Sequence, residues 1–369
     1  MILFVSAGLL ATLLAYLSQF DKKNHMLFMA FFIIWFIAAF QDAIGVDFAS
    51  YKDGFGRILN GSVKGSFFRV EREQTEMGWY LLCKGIGTLI PSFYAVTPIV
   101  YAFILYSLYR LIVLVPAKWR WLFIFYYYFG VKFFLFDMSG MRQGVAIACW
   151  ILMALSMKEN KYKTALLYVV LGISFHNSFI YSLGLAPLIL IPYERNKFYQ
   201  RKGLWVSIIL GAFILVYVYL AQITERIAGL TFLFEDMQNE EVYIRYITEI
   251  ESHGFSWLGL ASNSIMLLFV TIAFITPKSS SPYSSMFYVL FIVFFILNSA
   301  LGGFGSLPRM LLYVGFFALP AVANTGFHLK GAWRMGYLIF IVFMTFYSFF
   351  ASLQTEQFIG YMNYHTIFF

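Results

Sequence analysis

Apolar runs of roughly 16–21 residues recur along the whole chain, and they restrict the possible folds more than any other feature. A helix of that length is close to the thickness of the hydrocarbon core of a bilayer. Hydrophobic residues make up 61% of the chain and charged residues only 12%, whereas soluble domains carry about 25% charged residues. No water-soluble fold can bury so much apolar surface, so the sequence predicts an all-α integral membrane protein.

The positions of the runs predict a polytopic bundle. Full spans are expected near 2–19, 26–41, 98–115, 121–136, 143–157, 204–221, 256–276, 286–301, 310–327 and 335–353. Two further apolar segments do not have the length of full spans: 164–191 is too short for two spanning helices, and Trp79 to Ile90 is too short for one. We predict that 164–191 forms two half-spans meeting near His176, and that Trp79 to Ile90 forms an interfacial or re-entrant helix. Residues 1–369 are therefore expected to form one transmembrane domain of about 12 crossings.

Basic residues predict the orientation of these helices, because cytoplasmic connections of membrane proteins are enriched in lysine and arginine. Lys22 with Lys23 and the runs 158–163 and 195–202 mark the cytoplasmic side. The loops 42–76 and 222–255 are then external, and both termini lie outside. The charges behind the net charge of +8 lie in these short connections and form no continuous stripe. We therefore expect a lipid bilayer, and no nucleic acid, as the partner of this charge.

Several motifs are missing from the sequence, and their absence narrows the possible chemistry. There is no Gly-rich phosphate loop, no H-E-x-x-H helix, no G-x-S-x-G turn and no paired C-x-x-C. An ATPase or a zinc hydrolase is therefore not expected, and we predict neither a cofactor nor a metal. The two cysteines, Cys83 and Cys149, both lie in apolar segments, which argues against a disulfide framework.

Three polar residues from separate segments are predicted at the outer rim of the membrane, namely Arg142, His176 and Arg309. Charged groups at membrane depth are costly and mark candidate functional sites. The planar guanidinium of arginine suits phosphate oxygens, and an imidazole can accept a proton from a sugar hydroxyl. Each residue also has a structural interpretation: an arginine can extend to the interface, and a histidine can bond across helices. Their convergence at one level favours a site.

Short motifs in a fixed order strengthen the functional interpretation. The first loop contains Gly45-Val-Asp47-Phe-Ala-Ser-Tyr51 and ends with Glu76-Met-Gly78-Trp79. Gly140-Met-Arg142-Gln143-Gly-Val-Ala146 is followed by Phe175-His176-Asn-Ser178, and Arg309-Met-Leu-Leu-Tyr313 comes late. This order resembles the EpsG family of exopolysaccharide and O-antigen polymerases from about residue 40 to 315. One difference is that Phe48 replaces the usual tyrosine of the first motif.

The resemblance implies a Wzy-type polymerase of the bacterial inner membrane, with an architecture like that of the O-antigen ligase and an active site facing the periplasm or exterior. Such enzymes join repeat units carried on undecaprenyl diphosphate into O-antigen, capsule or exopolysaccharide. A Wzz-like chain-length regulator and a Wzx-like flippase are possible partners. The implied catalytic residues are His176, Arg142, Arg309 and Asp47, and the implied substrate-binding residues are Tyr51, Gln143, Tyr313, Glu76 and Ser178. In loop 222–255, Tyr243 and Tyr246 offer aromatic faces for sugar rings.

Two other functions remain open on the sequence. A transporter or flippase for the same lipid-linked sugar would also use broken helices, although it would place polar residues nearer the midplane of the bilayer. A membrane acyltransferase would use histidine as a base, but its histidine would be reachable from the cytoplasm. The side of the membrane on which His176 lies separates these alternatives.

Overall fold

The computed structural model describes residues 1–42, 44–45, 47–67, 73–130, 133–191, 206, 208–209, 212, 257–275, 283–301, 307–355, 359–364 and 366–368. Within these ranges the regular structure is almost entirely helical. The helices form two compact units. The first unit comprises Met1–Tyr181 with Val322–Phe369, and the second comprises Ser182–Ala321.

The first unit contains most of the described helices. They are α1 (Ile2–Leu17), α2 (His25–Ala39), α3 (Phe48–Leu59), α4 (Met77–Leu89), α5 (Val96–Ile112), α6 (Arg120–Phe129), α7 (Phe134–Ser139), α8 (Met141–Lys158), α9 (Tyr162–Phe175) and, at the boundary, α10 (Ser178–Ser182). Short 3-10 turns cover Ser18–Phe20, Phe93–Ala95, Ala117–Trp119 and Ile359–Asn363.

The second unit begins within α10 and includes a 3-10 turn at Leu183–Leu185. Its helices are α11 (Pro187–Leu190), α12 (Trp257–Ile275), α13 (Ser284–Leu301), α14 (Leu307–Gly315) and the start of α15 (Ala318–His328). The chain then returns to the first unit, where α16 (Gly331–Ser352) follows.

Helix α8 forms the centre of the first unit. Its sequence is apolar on all sides, which is typical of a helix surrounded by other helices. It packs against α5 and α9, while α5 packs against α2, α2 against α1, and α1 against α6. Because Trp150 and its neighbours on α8 are almost completely buried, any polar group at the start of this helix is held by a rigid scaffold.

Four described helical stretches, in which adjoining helices and turns are taken together, are long and apolar enough to cross a bilayer: Ile2–Phe20, Phe93–Ile112, Met310–His328 and Gly331–Ser352. They match predicted spans. Helix α16 exposes Ile339, Phe343 and Tyr347 at intervals of one helical turn, and only 22% of its apolar stretch is buried. A stripe of this kind faces lipid, as expected in a multi-pass membrane protein. The count of about 12 crossings stays a prediction.

The predicted span at 121–136 does not form one continuous helix. Helix α6 ends at Phe129, and a separate short helix, α7, begins only at Phe134. The break lies at Gly130, whose backbone leaves the helical region and passes so close to the Tyr126 carbonyl that a Cβ would lie 2.2 Å from its oxygen. An apolar run conceals such a helix end because hydropathy does not report backbone direction.

The predicted break at His176 is confirmed. Helix α9 ends at Phe175, His176 has an extended backbone (φ −159°, ψ 124°), and α10 begins at Ser178. The predicted span at 204–221 and the loop 222–255 lie largely or wholly outside the described residues.

The loop 42–76, which the sequence predicts to be external, has regular structure of its own. After α3, strand β1 (Lys64–Ser66) pairs in parallel with β2 (Gln74–Glu76), with Gly65 opposite Thr75. Strand β2 runs directly into α4, so Glu76 stands at the junction of strand and helix. Both cysteines are buried and free, which confirms the absence of a disulfide between them.

Candidate active site

The Arg142 guanidinium lies at the start of α8, just after the α7–α8 turn. Its Nη1 donates hydrogen bonds to the Glu76 carboxylate and, at 3.4 Å, to the Thr75 hydroxyl. The side chain of Arg142 is 22% exposed and that of Glu76 only 7%. Charges removed from water to this extent persist only when they are paired and hydrogen-bonded. The first loop and α8 are therefore joined by a largely buried ion pair.

An aromatic ring covers another side of the same guanidinium. The Arg142 Cζ atom lies 5.4 Å from the centroid of the Tyr51 ring, a cation–π geometry. Tyr51 comes from α3 and packs on Trp79 of α4, with ring centroids 5.3 Å apart. Burial raises the pKa of Tyr51, so its hydroxyl stays protonated at neutral pH. Arg142 Nε is buried and has no hydrogen-bond partner among the described residues.

His176 closes the gap between α9 and α10. Its Nδ1 accepts a hydrogen bond from the Ser178 backbone N–H at 3.2 Å and lies 2.7 Å from the Ser178 hydroxyl oxygen. A ring nitrogen that accepts a backbone N–H carries no proton itself. The neutral imidazole therefore carries its proton on Nε2.

Gly78 lets the start of α4 lie directly against the end of α9. A Cβ at Gly78 would lie 2.5 Å from Ser174 Oγ and 2.9 Å from the Ser174 carbonyl oxygen, so only glycine allows α4 to approach the end of α9 this closely. Glu76 is two residues before this contact, and His176 is two residues after Ser174. Segments far apart in the sequence thus meet at one end of the first unit.

Comparison with known proteins identifies the family of the chain. The model of the EpsG family matches residues 24–366. The chain belongs to the EpsG family. No curated protein and no solved structure matched it. The family is one of Wzy-like polysaccharide polymerases, as the motifs predicted, so this EpsG-family chain is a polysaccharide polymerase of the membrane.

Asp47 lies one helical turn before Tyr51, the tyrosine that covers Arg142. Asp47 precedes α3, and its carbonyl accepts the Tyr51 N–H at 2.9 Å. Its side chain is exposed, whereas Tyr51, one helical turn later, is buried. The carboxylate is therefore open to solvent next to a buried, arginine-facing tyrosine.

Asp137 is a buried carboxyl group that the motif comparison did not select. It is 1% exposed, its Oδ2 accepts a hydrogen bond from the Tyr127 hydroxyl at 2.8 Å, and its Oδ1 has no hydrogen-bond partner in the described part of the chain. Burial raises the pKa of Asp137 to about 8, although the bond from Tyr127 opposes the shift. The only sequence signal was a carboxylate in the Arg142 turn.

Two more buried side chains hold the Arg142 turn from the other side. The Met138 carbonyl accepts hydrogen bonds from Gln41 Nε2 at 3.1 Å and from the Tyr101 hydroxyl at 3.1 Å. Gln41 also donates to Tyr101 at 2.9 Å. The turn before Arg142 is therefore fixed by buried polar groups from α5 and from the residues after α2.

Several predicted site residues are not located by the structure. The backbone of Arg309 lies in α14, but its side chain is outside the described residues, as are Tyr243 and Tyr246. Tyr313 is completely buried in the second unit, and Gln143 is buried beside Arg142 on α8. That the Arg309 side chain lies at one site with Arg142 and His176 stays a prediction.

Replacing Gly78 by alanine is expected to lower both stability and activity. The added Cβ would collide with the Ser174 carbonyl, and forced overpacking of this kind costs about 1–3 kcal/mol. Gly85 on the same helix provides a matched control, because nothing lies within 4 Å of a Cβ there. Gly85→Ala should leave activity unchanged and stabilise α4 by up to about 1 kcal/mol. Thermal unfolding measures the effect on stability, and polymer yield measures the effect on activity. Equal behaviour of Gly78→Ala and Gly85→Ala would contradict the close contact between Gly78 and Ser174.

The stability of the protein is expected to fall as pH rises, because of Asp137. Its carboxyl group is protonated in the fold up to about pH 8 but ionises near pH 3.8 when exposed. The contribution of Asp137 to the free energy of unfolding is therefore fully present below pH 3.8. It is lost as pH rises to about 8, by at most about 1.4 kcal/mol per pH unit. Asp137→Asn should flatten this dependence in thermal unfolding across that range. A variant with the slope of the natural protein would rule out Asp137 as its source.

Proposed function

We propose that this polymerase joins oligosaccharide repeat units carried on undecaprenyl diphosphate into a surface polysaccharide at the outer leaflet of the bacterial inner membrane. The growing chain is transferred from its carrier to the next lipid-linked unit. The observation that carries the proposal is the Arg142 guanidinium, which Glu76, Thr75 and Tyr51 hold in place while Nε remains without a described partner. A buried donor of this kind suits a phosphate oxygen.

The transfer is a single displacement at the anomeric carbon of the growing chain. A hydroxyl oxygen of the acceptor sugar forms the new bond to that carbon, and the bond from the carbon to the diphosphate oxygen breaks. The electron pair leaves with the diphosphate, and the hydroxyl proton passes to a base on the protein. One displacement inverts the anomeric configuration. Arg142 and Arg309 supply the positive charge for the leaving diphosphate, so the mechanism uses no metal.

Two side chains are available to take the hydroxyl proton, namely His176 and Asp47. The hydrogen bonds of Ser178 to Nδ1 occupy the lone pair that a histidine base would use. They favour His176 as an Nε2–H donor to the diphosphate or to a sugar oxygen, and the exposed carboxyl group of Asp47 as the base. Tyr51 then orients the arginine and the sugar next to it.

The remaining residues are assigned to sugar binding. Gln143, Ser178 and Tyr313 are assigned to this role from their motifs alone. Tyr243 with Tyr246 in the external loop 222–255 offer ring faces for pyranoses. Loops 42–76 and 222–255 would cover the glycan. A Wzx-like flippase delivers the substrate in this scheme, and a Wzz-like regulator sets the chain length.

Reconstitution of the purified protein with a single lipid-linked repeat unit tests the proposal. We expect glycans of increasing length, with one undecaprenyl diphosphate released for each linkage formed. Movement of the lipid-linked unit across the vesicle bilayer without longer glycans would instead identify a flippase, and transfer of an acyl group an acyltransferase. Either outcome would overturn the proposal.

A further inference from the structure

The C-terminal segment, described at residues 359–364 and 366–368, is bound to the same end of the first unit as the candidate active site. Its contacts are polar as well as apolar. The polar contacts are Thr366 pairing with Gln41, Ile367 N–H to the Phe40 carbonyl at 3.0 Å, the Tyr364 hydroxyl to the Ile37 carbonyl at 2.6 Å, and the Met1 ammonium to the Met362 carbonyl at 2.7 Å. The segment is therefore an ordered part of the fold.

Tyr361 is the residue of this segment that reaches toward the site. It is 1% exposed, and its ring lies 5.8 Å from that of Phe4. Its hydroxyl is 3.1 Å from Ser139 Oγ. The same hydroxyl would lie 3.0 Å from a Cβ at Gly45, and Ser139 Oγ 3.3 Å from it. Gly45 has a φ of +107°, a backbone conformation that favours glycine. Both this conformation and the close approach of Tyr361 therefore require glycine at position 45.

The two stretches that meet at Tyr361 each lead directly to a residue of the site. Gly45 precedes Asp47 by two residues, and Ser139 precedes Arg142 by three. Burial raises the pKa of Tyr361, and the charge of Asp47 adds to the shift, which is consistent with Asp47 lying nearby. The phenol therefore keeps its proton and can donate to, or accept from, Ser139.

We propose that Tyr361 is a positioning residue of the active site, whose hydroxyl sets the spacing between the Gly45–Asp47 turn and the Ser139–Arg142 turn. This inference rests on the proposed function, because it takes Asp47 and Arg142 to act on one substrate. If Asp47 takes the proton while Arg142 stabilises the leaving group, the distance between them decides how often both are aligned with the same substrate. An error of about 1 Å in such a spacing lowers the rate by one to two orders of magnitude.

Tyr361→Phe tests the inference, since it removes a single oxygen and keeps the ring that packs on Phe4. Tyr364→Phe is the matched control, because Tyr364 lies in the same segment and also packs on Phe4, yet its hydroxyl bonds to the backbone of α2 at Ile37. We expect Tyr361→Phe to lower kcat by about tenfold with KM changed less than twofold. Tyr364→Phe should keep both values, and thermal unfolding should be similar in the two variants.

Ser139→Ala removes the same hydrogen bond from its other partner and should reproduce the loss in kcat. The double variant, Ser139→Ala with Tyr361→Phe, should be no slower than the slower single variant, because both changes abolish one interaction. Multiplying effects, or equal kcat for Tyr361→Phe and Tyr364→Phe, would overturn the positioning role. If the natural protein does not polymerise the lipid-linked unit, the proposed function fails. If it does polymerise and Tyr361→Phe matches it, only this inference fails.

Discussion

Replacing Arg142 by alanine is expected to lower kcat/KM for polymerisation by at least about 100-fold, because in the proposed mechanism the leaving diphosphate loses its main positive partner. Arg142→Lys keeps the charge but loses the planar fork of donors. Its activity should therefore lie between that of Arg142→Ala and that of the natural protein. In cells, both variants should shorten the glycan, and Arg142→Ala should leave single repeat units. Gel separation of the glycans and release of undecaprenyl diphosphate measure the effect.

The same substitution also leaves Glu76 buried without its counter-ion, which destabilises a protein by about 3–5 kcal/mol. A double variant separates folding from catalysis: Glu76→Gln with Arg142→Gln removes both charges together. It should unfold near the temperature of the natural protein and remain inactive. Arg110→Ala is the control, because Arg110 pairs with Glu159 in a more exposed ion pair at the other end of α8. An active, folded double variant would eliminate Arg142 from the mechanism.

Replacing His176 is expected to distinguish a proton donor from a base. His176→Ala should lower kcat by about 100-fold, since it removes both the Nδ1 acceptor for Ser178 and the Nε2–H group. His176→Gln places an amide N–H near the position of Nε2 but has no basic nitrogen. If the imidazole acts as a donor, the glutamine variant should retain activity within about tenfold of the natural protein.

The opposite outcome has an equally definite meaning. A glutamine variant as inactive as the alanine variant, with normal thermal unfolding, would make His176 the base. Asp47→Asn completes the comparison, because an amide cannot accept the hydroxyl proton at neutral pH. We expect Asp47→Asn to be nearly inactive, whereas Asp53→Asn, also on α3, should behave like the natural protein.

Much of the helix pattern could be predicted from hydropathy. The spans near 2–19 and 335–353 coincide with long apolar helices, and the polar step at His176 coincides with a break between α9 and α10. The break at Gly130 was missed because its neighbours are as apolar as those of a continuous helix. A single glycine in an apolar run is compatible with a helix, a bend or an end, and only packing decides among them.

Part of the site could also be predicted, since charges at membrane depth are costly whatever surrounds them. Arg142 and Glu76 were selected from separate motifs, and their ion pair connects those motifs in space. Thr75 and Tyr361 carried no such signal. A threonine beside a glutamate and a tyrosine near the end of an aromatic-rich chain are common, and their importance comes from the atoms they touch.

By itself, the sequence determined that the chain is a helical membrane protein and that it carries the motifs of the EpsG family, because composition and short local patterns are properties of the chain alone. Only the tertiary structure decided that Glu76 neutralises Arg142, that Ser178 holds His176 in one tautomer, and that Tyr361 joins the turns before Asp47 and Arg142. The ion pair joins residues 66 positions apart and the Ser139–Tyr361 contact residues 222 positions apart, while the tautomer of His176 depends on the direction of one hydrogen bond. Side-chain packing sets such relations, and hydropathy and motif spacing do not encode them.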